Sequence, residues 1–289
     1  MMRAAGSGME PRSQYPLTLV TAYFELGGRL ESPERGNPYP HWIRNFLPHV
    51  RWPLVVFCDE QSVDMLKGAR GDKPAVWHVT RLEDFYAYRY LDDLKRLSSP
   101  EEHAEVWITR SLIWHEKHHF LRQALSENPF GSEMLFWCDI GLFRYNPDAS
   151  WWSPGRSTFR LFEDIEWPNL EVCRALPQDK VLLVPAGERM DGGFFGGAIE
   201  PSHRWCDAYY RRLEKRKQDG SFCHREEYVI MSCWRRKPEL AYLMRFGSVP
   251  YIACLQRRNS VSGLKYYFLS GRRFPWRYFC RRLFSGPMR

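Results

Sequence analysis

Two uninterrupted apolar runs, Leu54–Cys58 (LVVFC) and Met134–Cys138 (MLFWC), both stop on an aspartate, Asp59 and Asp139. Five apolar residues without polar alternation match a strand covered on both faces, which calls for helices above and below a parallel sheet. The rest of the chain keeps that rhythm. Leu17–Phe24, bounded by Pro16 and Gly27-Gly28, reads as a strand, as do residues 76–80 and 181–185. Helices are expected over residues 40–47, 82–97, 101–127, 202–217 and 224–235, and a glycine-rich turn over 192–197. The alternation predicts an α/β fold with a mostly parallel central sheet and helices on both faces. Ligands of such sheets sit beyond the carboxyl ends of the strands, so Asp59 and Asp139 are placed to face a site. For Asp59, an aspartate that only opens a turn fits equally well.

With 289 residues, 44% of them hydrophobic, the chain is long enough to bury a full core. Aromatic residues reach 16%, more than a core requires, as on surfaces that stack against sugars, bases or lipids. None of the eight cysteines forms a C-x-x-C pair, which argues against a zinc knuckle or a thioredoxin-like site. Met1–Arg12 lacks the apolar core of a signal peptide, and no run of about 18 apolar residues occurs. A cytoplasmic protein, at most peripheral on a membrane, is the expectation.

The net charge of +8 is unevenly distributed. Beyond Leu240 there are ten Lys or Arg and no acid, so the first 239 residues hold 32 basic against 34 acidic side chains. The tail interleaves Arg272, Arg273, Arg277, Arg281 and Arg282 with Phe274, Trp276, Tyr278, Phe279 and Phe284. That mixture suits an anionic membrane surface, and a segment folded back on the acidic main domain suits it as well. Nucleic acid is the less expected partner.

The block Ile113–Arg144 carries the most chemistry. A cationic helix (Arg110, Lys117, Arg122) directly precedes the strand that delivers Asp139, with Gly141 and Arg144 after it. A diphosphate leaving group needs a divalent cation or several basic side chains, and a carboxylate at a strand end can hold such a cation. Residues 191–197 (DGGFFGG) permit close backbone approach to a substrate, or serve turn geometry alone. Glu226 and Glu227 open a helix, either as ordinary acids at its positive end or as a general base. A rival motif overlaps the block. His115-Glu116-Lys117-His118-His119 satisfies H-E-x-x-H, the pattern of a zinc peptidase with Glu116 as base. Position 122 is Arg where the extended motif requires Gly.

Trp114, Lys117, Asn128-Pro129-Phe130, Ser132, Trp137, Asp139, Gly141, Phe143 and Arg144 together resemble the HtrL/YibB-type glycosyltransferase family. Gly192–Gly197 and the opening Val20–Phe24 strand extend the likeness over roughly residues 17–243. The resemblance implies a GT-A-like fold, a nucleotide-sugar donor and a divalent metal, Mn or Mg. Carried onto this sequence, it places Thr21, Tyr23 and Asp59 at the nucleoside and the metal on Asp139. Lys117 and Arg144 then offset the diphosphate charge, Gly192 and Gly193 lie against the sugar, and Asp191, Glu226 or Glu227 serves catalysis. Related sequences place Asp-Glu or Asp-Gln where this chain has Glu226-Glu227. The expected organisation is a disordered segment 1–14, a catalytic domain 15–245 and a basic aromatic segment 246–289. The acceptor is expected to be a glycan or a lipid-linked sugar. The classes kept beside this reading are the H-E-x-x-H peptidase and a membrane- or nucleic-acid-binding module acting through the tail.

Overall fold

The computed structural model describes residues 15–25, 39–98, 104–142, 167–186 and 189–244. Segment 1–14, the Gly27-Gly28 turn, Arg144 and the 246–289 tail lie outside them.

The apolar runs form the strands expected of them. β1 (Leu17–Tyr23), β2 (Leu54–Cys58), β3 (Ala75–Val79) and β4 (Met134–Cys138) are mutually parallel. β5 (Val181–Ala186), β6 (Arg189–Ala198) and β7 (Ala241–Leu243) complete a seven-stranded sheet of order β3-β2-β1-β4-β6-β5-β7. β6 is antiparallel to both of its neighbours. The architecture is therefore mixed α/β with a mostly parallel sheet.

Helices cover both faces. α1 (Tyr39–Phe46), α2 (Val63–Arg70) and α5 (Leu170–Arg174) lie over the face that presents Leu17, Leu19, Val56 and Phe136. α4 (Ala104–Glu127), α6 (Ile199–Gln218) and α7 (Glu226–Arg236), with α3 (Leu91–Leu97), lie over the face of Val20, Val55, Leu135 and Trp137. Side chains of a strand alternate between faces, so residues two apart point the same way. On the first face, the Arg70 guanidinium is buried and donates to the carbonyls of Leu47, Val50, Trp52 and Pro74, tying α2 to the 47–52 loop and to the residue before β3. No described helix is long and apolar enough to cross a membrane. The described cysteines are unpaired, and all but Cys223 are buried.

Two expectations need correction. Residues 192–197 are not a turn but the middle of β6, hydrogen-bonded between β4 and β5. Gly196, at φ +143°, lies so close to β4 that a Cβ would collide with the Leu135 carbonyl and the Phe136 Cα. The glycines let strands approach rather than reverse the chain. Residues 82–97 are not one helix either. They form 3-10 turns at Leu82–Asp84 and Tyr86–Tyr90 before α3 begins. The Glu116 carboxylate on α4 accepts the Tyr86 and Ala87 N–H groups at 3.0 and 2.7 Å, which fixes the second turn.

Candidate functional site

The chain steps outward from β1 to β2 and β3, then returns to place β4 on the other side of β1. That reversal of strand order makes the carboxyl ends of β1 and β4 the crevice where ligands of open α/β sheets bind. Asp139 follows β4 directly. Because β6 runs antiparallel, its beginning, with Asp191, Gly192 and Gly193, arrives at the same edge. The Asp139 N–H donates to the Gly193 carbonyl at 2.8 Å.

Asp139 stands two residues after Trp137, which faces α4, and the Trp137 indole N–H donates to Asp139 Oδ1 at 2.7 Å. From α4, Lys117 falls on the inward stripe with Phe120, Leu121 and Ala124. Its Nζ donates to Asp139 Oδ2 at 2.8 Å, to Glu226 Oε1 at 2.9 Å and to the Gly192 carbonyl at 3.3 Å. Three ammonium hydrogens meet three acceptors. Lys117 and Glu226 each keep only 5% of side-chain exposure, whereas Asp139 keeps 28% and is the open member of the group. Burial works against the Lys117 ammonium, but the Asp139 and Glu226 carboxylates outweigh it and hold its pKa above the usual lysine range. Burial raises the Glu226 carboxyl, with Lys117 pulling in the opposite sense. One ammonium between two carboxylates leaves the trio at net −1 when both acids are ionised. Glu226 passes so close over Gly192 that a Cβ there would overlap its carboxylate. That contact, and not backbone conformation, demands glycine at 192.

The remaining expected residues divide around this group. The Asp191 carboxylate turns back to accept the Gly193 N–H at 2.8 Å and stays partly exposed. Glu227 points away from its neighbour and pairs with Arg189 at 3.1 Å and Arg225 at 3.8 Å. Thr21 and Tyr23 share the strand face of Leu17 and Leu19, opposite the face that Trp137 and Lys117 occupy. Thr21 is buried, and the Tyr23 hydroxyl donates to Glu25 at 2.7 Å. Asp59 accepts backbone N–H groups of Glu25 and Ser62, the turn role weighed for it. It also lines a cleft of about 690 Å³ beyond β2 and β3, with Glu25, Glu60, Arg81, Glu83 and Asp84. Asp59 and Asp139 end strands that flank β1, two strand spacings or about 10 Å apart. Sequence reasoning missed the Trp137 indole as a partner of Asp139. The i, i+2 spacing on a strand was the available signal.

The peptidase reading does not survive the geometry. His115 Nε2 lies 3.0 Å from the Cys223 carbonyl, so that nitrogen carries the hydrogen, and Nδ1 accepts from the Tyr209 hydroxyl at 2.6 Å. Both nitrogens are committed, and burial lowers the ring's pKa to about 4. His119 Nδ1 accepts from Arg122 at 2.9 Å, and its ring stacks on Tyr86. Glu116, pushed up to about 8 by burial, is spent on the 3-10 turn. A divalent metal on Asp139 would have to share that carboxylate with a buried ammonium. The Lys117 ammonium takes one carboxylate oxygen and the Trp137 indole the other. Among the described residues, no three His, Cys, Asp or Glu side chains converge as metal ligands would.

Solved structures similar to this chain include mouse xyloside xylosyltransferase 1 in its apo form, with a TM-score of 0.40 and 11% identity over 79% of this chain and 84% of that one. No protein-family profile and no curated protein matches the chain.

Proposed function

We propose that the chain is a glycosyltransferase of GT-A-like fold. It would take a sugar from a nucleotide-sugar donor bound across the β1/β4 crevice and pass it to a glycan or lipid-linked acceptor. The observation that carries this reading is Asp139. It is the partly exposed carboxylate at the switch point of the sheet, held from behind by Lys117 and Trp137. The motif resemblance around Asp139 supports the same reading.

In this proposal Asp139 accepts hydrogen bonds from donor sugar hydroxyls through the lone pairs that Lys117 and Trp137 leave open. The bond from the sugar anomeric carbon to the diphosphate oxygen breaks, and its electron pair goes to that oxygen. The acceptor hydroxyl oxygen bonds the same carbon, and its proton passes to Asp191, which is more exposed than Glu226. Glu226 and Lys117 position Asp139 and touch no substrate, since both are buried. The cleft beside Asp59 receives the nucleoside end, about 10 Å away across β1.

A panel of nucleotide-sugars, followed by thermal shift and by nucleotide release, tests the proposal. A stabilising donor is expected, and Asp139→Asn should lower turnover at least about a hundredfold with an unchanged far-UV spectrum. Undiminished turnover in that variant would remove Asp139 from the chemistry.

A further inference from the structure

We infer that the Lys117 ammonium is the resident cation of this site, standing where a divalent metal would be held, so that Asp139 and Glu226 work without one. Two carboxylates from different elements, converging beside backbone carbonyls at a strand end, are the usual makings of a cation site. Here the convergence is complete, but its centre is Lys117 Nζ, with Asp139, Glu226 and the Gly192 carbonyl at 2.8, 2.9 and 3.3 Å. Three acceptors match the three hydrogens of an ammonium. The Trp137 indole occupies the outer Asp139 oxygen and lies under the same ammonium, 5.9 Å from Nζ to ring centroid.

An incoming divalent ion would share Asp139 with a positive charge that cannot withdraw, because the lysine side chain is enclosed by the core. Like charges at such separations repel strongly away from bulk water. A tethered cation also cannot be lost to a chelator. Within the glycosyltransferase reading, on which this consequence rests, Lys117 brings the carboxylate pair from −2 to −1 and eases the approach of an anionic donor. Transfer then proceeds without added metal. Lys117 acts through Asp139 and is a positioning residue.

The test is Mn²⁺ binding by the full-length protein, read by electron paramagnetic resonance and calorimetry, in the native chain, Asp139→Asn, Lys117→Met and the double variant. The native chain should show no Mn²⁺ site that depends on Asp139. Lys117→Met keeps the length of the side chain and removes its charge. It should gain one Mn²⁺ per chain, at least about a hundredfold tighter than the native protein, and lose it again when Asp139→Asn is added. Micromolar binding by the native chain that disappears in Asp139→Asn overturns the inference. So does a folded Lys117→Met variant that gains no site. If Lys117→Met does not fold, the native chain against Asp139→Asn decides the matter alone. Donor turnover in excess chelator is the second readout: persistence supports the inference, and turnover that requires Mn²⁺ refutes it. A protein that uses no nucleotide-sugar under any condition refutes the transferase reading and leaves the metal titration standing.

Discussion

His118 lies between two aromatic rings, 3.6 Å from Tyr209 and 4.5 Å from Phe195 by centroid, with interplanar angles of 6° and 18°. It is fully buried, and neither ring nitrogen has a hydrogen-bond partner among the described residues. Leaving a buried polar group unsatisfied costs about 1–3 kcal/mol. His118→Phe removes that cost and keeps the stack. The larger ring returns about 1 kcal/mol as crowding, so a net gain of about 0–2 kcal/mol is expected at pH 8. A second effect grows with acid. Burial, then Lys117 and His115, depress the His118 pKa well below 6.5, so the native ring stays neutral while the unfolded chain takes up a proton. Stability from this group is therefore present above pH 6.5 and lost as pH falls below it. At pH 5 the loss is at most about 2 kcal/mol, the limit for one proton over 1.5 pH units. Urea unfolding at pH 8 and pH 5 should thus show His118→Phe stabilising, with a gain larger at pH 5 by up to about 2 kcal/mol. A variant less stable at both, or a gain that does not grow toward acid, would refute the reasoning.

Two further predictions concern groups that hold elements together. Arg70→Met should cost at least about 3 kcal/mol in urea unfolding, because it takes the donor from the Leu47, Val50 and Trp52 carbonyls in a buried seam, while Pro74 keeps the Leu54 N–H. Gly192→Ala should displace Glu226 from Lys117, cost about 2 kcal/mol and lower donor turnover. Adding the shorter Glu226→Asp should recover part of the lost stability, and a cycle showing strict additivity would deny the contact.

What the sequence disclosed follows from the range of each interaction. β2 and β4 were legible because burial on both faces writes itself into five consecutive residues, and Asp139 was legible because it ends such a run. β6 was misread because its glycines act on partners far along the chain, Gly196 on β4 and Gly192 on Glu226. The interruption in 82–97 has the same origin. Its cause is Glu116, some 30 residues downstream, supplying the hydrogen bonds of a competing turn. Glu226 and Glu227 were a single acidic pair in the sequence. Only helix geometry sends one inward to Lys117 and the other out to Arg189. Lys117 itself was recognised as a charge for the site, but its enclosure by three acceptors was not visible.

Those acceptors lie 22, 75 and 109 residues beyond Lys117 along the chain. A growing polypeptide completes α4 long before the start of α7 exists. Until Glu226 arrives, the ammonium is short of one carboxylate, and drawing it out of water is costly. Phe120, Leu121 and Ala124 share the lysine's side of the helix, so that apolar seam cannot seal ahead of the charge. Closure of the core thus waits on the last acid to be synthesised. A nascent chain broken off before residue 226 would keep a wet, sticky seam for quality control to find.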